Sequence, residues 1–121
     1  MTLPLHFPQH RLRRLRRDDF SRRLVREHQL TPSDLIYPVF VLDQDKGSQA
    51  VGSMPGVSRL GRSALYEAAE RCVQLGVPVL ALFPVIDAAL KTPDGQEALN
   101  PEGLVPRTVR ELKKRFPSWA S

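Results

Sequence analysis

The sequence has one cysteine, Cys72, few aromatic residues (7%), and no apolar run that approaches the roughly 20 residues needed to cross a bilayer. A single thiol excludes an internal disulfide framework and a zinc site built from cysteines. The lack of a long apolar run excludes a transmembrane protein. With 121 residues, the chain cannot by itself close an eight-stranded barrel, which takes at least about 200 residues.

The composition that is present is typical of a folded globular domain. Hydrophobic residues make up 41% of the chain, and charged residues of both signs make up 26%. This combination is too apolar and too mixed in charge for a chain disordered throughout. The sequence contains no glycine-rich dinucleotide loop, no P-loop and no GxSxG elbow, so none of these motifs indicates a function.

The net charge of +5 is confined to an N-terminal segment. Residues 11–28 hold eight arginines and three acidic residues, whereas the rest of the chain has ten basic and ten acidic residues. An arginine-rich segment can bind phosphates, although only Phe7 and Phe20 are available there for stacking on bases. Acidic residues and scarce serine argue against an organelle transit peptide, and the missing apolar region excludes a secretory signal.

Residues 1–30 are therefore interpreted as a basic arm. Phe20, Leu24 and Val25 form a short apolar stripe at helical spacing, flanked by charges. Such a tail cannot build its own core, so a partner surface must hold it if it is ordered. We favour docking on a sister subunit, with a module that binds nucleic acid or another acidic partner as the alternative.

The body of the chain, residues 31–121, predicts strand, helix, strand and helix in that order. Residues 35–42 and 78–85 are nearly continuous apolar runs, which indicate parallel strands buried on both faces. Pro38 conflicts with the first strand because it removes one backbone donor. Residues 43–60 contain several glycines and prolines and are predicted to form a loop.

The two predicted helices span about 63–75 and 103–116. Ser63 is predicted to cap the first helix, and Gly76 stands where a glycine often ends a helix. Asn100 is predicted to cap the second helix, with Pro101 at its first position and Pro106 favouring a later start of its regular part.

Two strands, each followed by an amphipathic helix, are successive units of an α/β fold. Two parallel strands are too few for a packed sheet, so further strands must come from additional chain or from another subunit.

Residues with reactive side chains form no catalytic group in the sequence. Lys91 follows the second strand, on the side where barrel enzymes place their active sites, but the polar loop around it favours a solvated amine. Cys72 falls in the apolar stripe of the first helix, which favours a buried, inert thiol. The histidines lie in the arm without acidic residues at ligand spacing, and the loop aspartates are the kind that form turns: His6, His10, His28, Asp43, Asp45, Asp87 and Asp94.

Four segments closely resemble the start of bacterial porphobilinogen synthases, also called delta-aminolevulinic acid dehydratases. They are Arg13–Val41, Ser53–Leu60 with the motif SMPGV, Leu75–Gly95 with FPV at a strand end, and Glu97–Pro117. The resemblance runs in register over most of the chain. SMPGV and FPV are specific in combination, whereas either alone is a weak signal.

The resemblance implies that residues 35–42 and 78–85 are the first two strands of a (β/α)₈ TIM barrel that is incomplete in this chain. It also implies an arm that wraps around a neighbouring subunit, usually in a homo-octamer. The family condenses two molecules of 5-aminolevulinate into porphobilinogen in tetrapyrrole (heme) synthesis. Two lysines hold the substrates as Schiff bases, and zinc or magnesium assists.

None of the family's catalytic or metal-binding residues can be placed on this sequence. The lysines, the metal loop and the residues that hold substrate carboxylates belong to the part of the family pattern beyond Pro117. We therefore expect a segment cut before the active site, inactive alone, with no catalytic, cofactor-binding or metal-ligating residue of its own. Without a credible targeting segment, the expected location is the cytoplasm.

Overall fold

The computed structural model of the chain describes residues 6–119. The chain divides after Leu30 into two compact units. The first contains a 3₁₀ turn, Arg14–Arg16, and one short helix, α1, at Asp19–Leu24. Two side chains of the predicted apolar stripe, Phe20 and Leu24, lie one turn apart on α1 and are 60% and 81% exposed.

The second unit is an α/β layer built on a four-stranded sheet. Its strands are β1 (Ile36–Leu42), β2 (Ser48–Ala50), β3 (Ser58–Leu60) and β4 (Val79–Val85), and its helices are α2 (Arg62–Leu75) and α3 (Leu104–Arg115). The strand order is β2-β3-β1-β4, and β1 and β4 pair in parallel along their whole length. In residues 6–119 no helix has the length and apolar character needed to cross a membrane.

One face of the sheet carries the core. Side chains alternate across a strand, so Val39 and Val41 of β1 point to the same face, and both are buried. Helix α2 covers this face with Leu65 and Ala69, which occur one turn apart and are fully buried. Leu112 of α3 completes the buried cluster.

Within residues 31–119, the opposite face of the sheet is largely uncovered. Phe40 of β1 and Phe83 of β4 are paired in register on that face, with ring centroids 6.0 Å apart. Phe83 is 51% exposed and Ile36, at the other end of the same face, is 62% exposed. Both strands are apolar along their length, as is typical of parallel strands that are buried on both faces. In the second unit, α2 and α3 cover one of these faces.

Pro38 fits in β1 because only the last part of β1 has neighbouring strands on both sides. Strand β3 pairs with Phe40 and Val41 alone, so the part of β1 around Pro38 has a described neighbour only in β4. A proline is tolerated where a strand has a free side.

The prediction that residues 43–60 form a loop is wrong in part. Strands β2 and β3 form an antiparallel hairpin within that range, and β3 adds itself to β1 in parallel. Each strand has only three residues, and turn formers surround both, so local composition hides them.

The prediction that Ser63 caps the first helix is also wrong. Helix α2 begins at Arg62, after Gly61, and no side chain caps it. Instead the loop after β1 satisfies its first N–H groups: Arg62 N donates to Gln44 O at 2.9 Å, and Ser63 N donates to Asp45 O at 3.0 Å. Backbone carbonyls of a distant loop thus accept hydrogen bonds from the first N–H groups of α2, which in many helices a side-chain cap would accept.

The end of α2 follows the sequence rule. Gly76 has a φ of 78° in the left-handed region, where a side chain would be strained. Val77 N donates to Cys72 O at 2.9 Å, and Gly76 N donates to Val73 O at 3.2 Å, the two bonds of a Schellman motif.

Helix α3 begins later than a cap at Asn100 requires, so that prediction is wrong. Asn100 Oδ1 accepts from Glu102 N at 3.0 Å and Asn100 O accepts from Gly103 N at 3.0 Å, which makes a turn ahead of the helix. Pro106 then lies in the first turn of α3, where its missing N–H needs no helical partner.

Candidate functional site

The candidate site is the edge of the sheet where β1 and β4 end. In parallel α/β folds, ligands bind outside the carboxyl ends of the strands. Because β1 and β4 run in parallel and in register from Ile36 to Leu42, their following loops meet at this edge. These loops contain Lys91 and four aspartates weighed in the sequence.

Two of the aspartates contact arginines of the helices at this edge. Asp43, directly after β1, accepts a hydrogen bond from Arg107 of α3, with Oδ1 and Nη2 2.9 Å apart. Asp45 lies 3.3 Å from Arg62 of α2, measured from Oδ1 to Nη2. Both carboxylates are therefore engaged with arginines of the two helices.

The other two aspartates shape the loop after β4. Asp87 Oδ1 accepts from Ala89 N at 3.0 Å and caps the 3₁₀ turn Ala88–Leu90. Hydrogen bonds from the side chains of Thr92 and Gln96 hold the pKa of the Asp94 carboxyl below its ordinary value. These are turn-forming roles, as expected for aspartates in loops.

Lys91 ends the 3₁₀ turn and is exposed. It lines an open cavity of about 200 Å³ at the carboxyl edge, together with Arg59 and with the apolar side chains of Phe40, Val51, Pro84, Val85 and Ile86. Neither cation forms an ion pair with a carboxylate among residues 6–119. Sequence reasoning missed Arg59, since only the hairpin β2–β3 brings it to this edge.

Cys72 is buried on α2, 6% exposed. Burial raises the pKa of its thiol, and the charge of Arg71 acts weakly in the other direction. A protonated, enclosed thiol is a poor nucleophile. Cys72 therefore packs rather than reacts.

The three histidines do not join the candidate site. His6, His10 and His28 all belong to the N-terminal unit. Over residues 6–119, histidine, cysteine, aspartate and glutamate side chains nowhere gather in a group of three that could hold a metal ion.

A polar network between α2 and α3 is the second feature that sequence reasoning missed. The hydroxyl of Tyr66 donates to Glu111 Oε2, and Glu111 Oε1 lies 3.6 Å from Arg62 Nη1. The guanidinium of Arg115 lies 4.6 Å from the centre of the Tyr66 ring. Burial, then the hydrogen bond to Glu111, raises the pKa of Tyr66 to about 12. The sequence signal for this network was the four-residue spacing of Arg62 and Tyr66 on α2 and of Glu111 and Arg115 on α3, which places each pair on one face of its helix.

The chain matches one protein family over nearly all its length. The family model for delta-aminolevulinic acid dehydratase matches residues 9–120. The delta-aminolevulinic acid dehydratase of Bradyrhizobium diazoefficiens is 45% identical over 107 residues, which are 88% of this chain and 30% of that protein. The chloroplastic delta-aminolevulinic acid dehydratase of Glycine max is 41% identical over 96% of this chain and 27% of its own length.

A solved structure shares the fold. The delta-aminolevulinic acid dehydratase (porphobilinogen synthase) of Toxoplasma gondii, determined in complex with the reaction product porphobilinogen, superposes with a TM-score of 0.80 at 41% identity. The match covers 90% of this chain and 31% of that one. The chain thus spans about 30% of the length of its relatives, and its four-stranded sheet with flanking helices is an incomplete (β/α)₈ barrel.

Proposed function

Because the chain belongs to the delta-aminolevulinic acid dehydratase family, we propose that it serves porphobilinogen synthesis, the condensation of two 5-aminolevulinate molecules with loss of water. The observation that supports this is the match over residues 9–120, together with 45% identity to a bacterial member. The activity belongs to a whole protein of the family. The Bradyrhizobium diazoefficiens relative is about three times as long as the part of it that this chain matches.

The role we propose for this chain is structural. Strands β1 and β4 supply two neighbouring barrel strands, and α2 and α3 cover their outer face. Arg107 to Asp43 and Arg62 to Asp45 tie each helix to the loop after β1, which fixes the carboxyl edge that a barrel uses for chemistry. The open face with Phe40 and Phe83 would line the barrel interior.

We place no catalytic residue in this chain. A lysine that forms a Schiff base needs its amine deprotonated by desolvation or by a neighbouring cation acting on it at close range. Lys91 is exposed on a loop, which supports a solvated amine. The two family lysines that hold substrate are therefore proposed to lie outside this segment.

Zinc or magnesium is proposed only for the whole protein. The side chains of residues 6–119 do not fit such an ion, since they provide no group of three ligands. No step of the reaction is derived through a metal from this chain.

The arm is proposed to dock on a sister subunit in a homo-oligomer, an octamer in the family. Phe20, Leu24 and Val25 are exposed by 60%, 81% and 44%, an apolar surface next to paired charges such as Arg23 and Asp19. Burial of this surface would stabilise an assembly. No observation favours the alternative, an arm that binds nucleic acid, and a cytoplasmic location stays a prediction.

Reductive trapping tests the proposed division of labour. The 121-residue chain is incubated with 5-aminolevulinate and sodium borohydride, which fixes any Schiff base, and lysine adducts are mapped by mass spectrometry. Porphobilinogen is measured in a parallel incubation without borohydride. We expect no porphobilinogen, and adducts at Lys91 no more frequent than at Lys114, an exposed lysine of α3. Product formation, or selective trapping at Lys91, would overturn the proposal that this chain carries no catalytic residue.

A further inference from the structure

The turn between β4 and α3 contains a chemically reactive pair, Asp94 followed by Gly95. It is the only place in the sequence where a glycine follows an aspartate or an asparagine. Both residues are exposed, and a Cβ built on Gly95 would meet no atom within 4 Å. Because glycine has no side chain, the backbone nitrogen of Gly95 is open to the neighbouring Asp94 carboxyl.

The reaction available to such a pair is closure of a five-membered imide. The Gly95 nitrogen attacks Cγ of the protonated Asp94 carboxyl, so that a C–N bond forms and the Cγ–OH bond breaks. The hydroxyl leaves as water with the proton of the Gly95 N–H. Water then adds to one of the two imide carbonyl carbons. Opening at Cγ restores aspartate, whereas opening at the main-chain carbonyl of Asp94 leaves the chain running through Cγ, as isoaspartate.

Hydrogen bonds within the turn restrain both reacting groups. Gly95 N donates to Thr92 O at 3.0 Å, and Asp94 Oδ2 accepts from Gln96 Nε2 at 2.9 Å. Closure of the imide requires that both bonds break. They are exposed and join residues close in sequence, so they open without disturbing β4 or α3. The turn therefore slows the reaction without preventing it.

The other aspartates and the single asparagine do not offer this combination. Each of the other aspartates is followed by a residue whose side chain hinders attack by its backbone nitrogen. Asn100 is followed by Pro101, whose nitrogen carries no hydrogen to lose. Asp87, before Ala88, is the closest match to Asp94, since it is exposed, follows β4 and accepts a hydrogen bond through its carboxylate. The aspartates compared are Asp18, Asp19, Asp34, Asp43, Asp45 and Asp87.

We propose that Asp94 is the site at which this chain spontaneously forms isoaspartate, and that the hydrogen bond from Gln96 slows the reaction. The product has one additional backbone CH₂ between β4 and α3. It belongs to the substrates of methyltransferases that transfer a methyl group from S-adenosylmethionine to an oxygen of the isoaspartyl carboxylate. The proposal concerns residues of this chain and does not depend on the synthesis of porphobilinogen.

Ageing of the 121-residue chain at mildly acidic pH tests the site, since the protonated carboxyl is the form that is attacked. Isoaspartate is located in digests by electron-transfer mass spectrometry. Its total is measured as methyl groups transferred from labelled S-adenosylmethionine by a protein isoaspartate methyltransferase. We expect accumulation at Asp94 about tenfold faster than at Asp87. Asp94→Glu should remove most of the methyl incorporation, because the longer side chain does not close a five-membered ring.

Two comparisons test the restraint by the turn. Gln96→Ala removes the donor to Asp94 Oδ2 and should raise the rate at Asp94 about threefold, the effect of one exposed hydrogen bond. Gln74→Ala is the matched control at an exposed position of α2 and should leave the rate unchanged. A synthetic peptide of residues 90–98, which has neither β4 nor α3 to hold the turn, should react faster than the whole chain.

Each part of the proposal has a result that would overturn it. Equal rates at Asp94 and Asp87, or methyl incorporation undiminished by Asp94→Glu, would overturn the assignment of the site. Equal rates in the wild type and Gln96→Ala would overturn the role of Gln96. A whole chain that reacts at least as fast as the peptide would overturn the restraint by the turn.

Discussion

At Gly61 the backbone before α2 closely approaches the loop after β1. A Cβ built on Gly61 would lie 2.8 Å from the backbone oxygen of Gly47 and 3.1 Å from that of Lys46. Backbone atoms cannot swing away as the end of a side chain can. The same approach lets Gly61 N donate to Gly47 O at 2.9 Å, and it brings the loop carbonyls to the start of α2.

We expect Gly61→Ala to lower the free energy of unfolding by about 2 kcal/mol, the usual cost of overpacking. Gly52→Ala is the matched control, because nothing lies within 4 Å of the Cβ that it would add. Chemical denaturation of both variants measures the difference. Equal midpoints for the two would contradict the close approach at Gly61.

Tyr66 gives a prediction for alkaline pH. Its folded-state pKa of about 12 exceeds the ordinary 10.0, so the folded state holds the phenol proton more tightly than the unfolded state does. The stabilisation is therefore complete below pH 10 and is lost as the pH rises toward 12. Burial is the main cause, followed by the hydrogen bond to Glu111.

The ionisation of Tyr66 is measured as the difference in tyrosinate absorbance between the wild type and Tyr66→Phe during alkaline titration. We expect the difference titration to have its midpoint at a pH well above 10. When Glu111→Gln is introduced into both the wild type and Tyr66→Phe, the midpoint should fall, because the negatively charged acceptor of the Tyr66 hydroxyl is removed. Tyr66→Phe itself should cost about 1 kcal/mol of unfolding free energy, one hydrogen bond to a charged group at a half-exposed site. A difference titration centred at 10 would refute the network.

Residue chemistry was only partly predictable from the sequence. The burial of Cys72 followed from its place in an apolar stripe, because one helix face determines it. The partners of Asp43 and Asp45 did not follow, since Arg107 and Arg62 lie on helices whose positions depend on the assembled sheet. Arg59 looked like an ordinary loop residue for the same reason.

At the scale of elements, burial of one helix face holds the layers together. Leu65 of α2 is fully buried, and it packs in a cluster with Val39 and Val41 of β1. Truncation of such a side chain loses transfer free energy and leaves a cavity.

Leu65→Ala should therefore lower the free energy of unfolding by about 3 kcal/mol. Leu99→Ala is its control, since Leu99 is 83% exposed in the 3₁₀ turn Gln96–Leu99 and should change stability little. Denaturant titrations followed by circular dichroism compare the two. A smaller loss for Leu65→Ala than for Leu99→Ala would contradict the core that the structure describes.

The longer elements could be predicted because each has a local signal. Continuous apolar runs indicated β1 and β4, and the 3.6-residue period indicated α2 and α3. The β2–β3 hairpin could not be predicted, because three-residue strands acquire their identity from pairing with β1. The cap predicted at Asn100 was wrong because an asparagine that caps a helix and an asparagine that closes a turn accept hydrogen bonds through the same side-chain oxygen.

At the scale of the whole molecule, the chain is two barrel units and an arm rather than a closed domain. Strand β4 is the last strand of the described sheet, and one sheet face with Phe40 and Phe83 remains open. Local patterns predicted the α/β class, and the arm boundary near residue 30 coincides with the division into two units. The barrel itself came only from resemblance, since closure needs strands that this segment does not contain.

A chimera tests most directly whether this chain is a working segment of a delta-aminolevulinic acid dehydratase. The aligned 107 residues of the Bradyrhizobium diazoefficiens relative, 45% identical, are replaced with those of this chain, and porphobilinogen formation from 5-aminolevulinate is measured. We predict that the chimera forms porphobilinogen, and that the same chimera with Leu65→Asp, which buries a charge in the core, does not. A chimera that folds like its parent but forms no porphobilinogen would contradict the assignment.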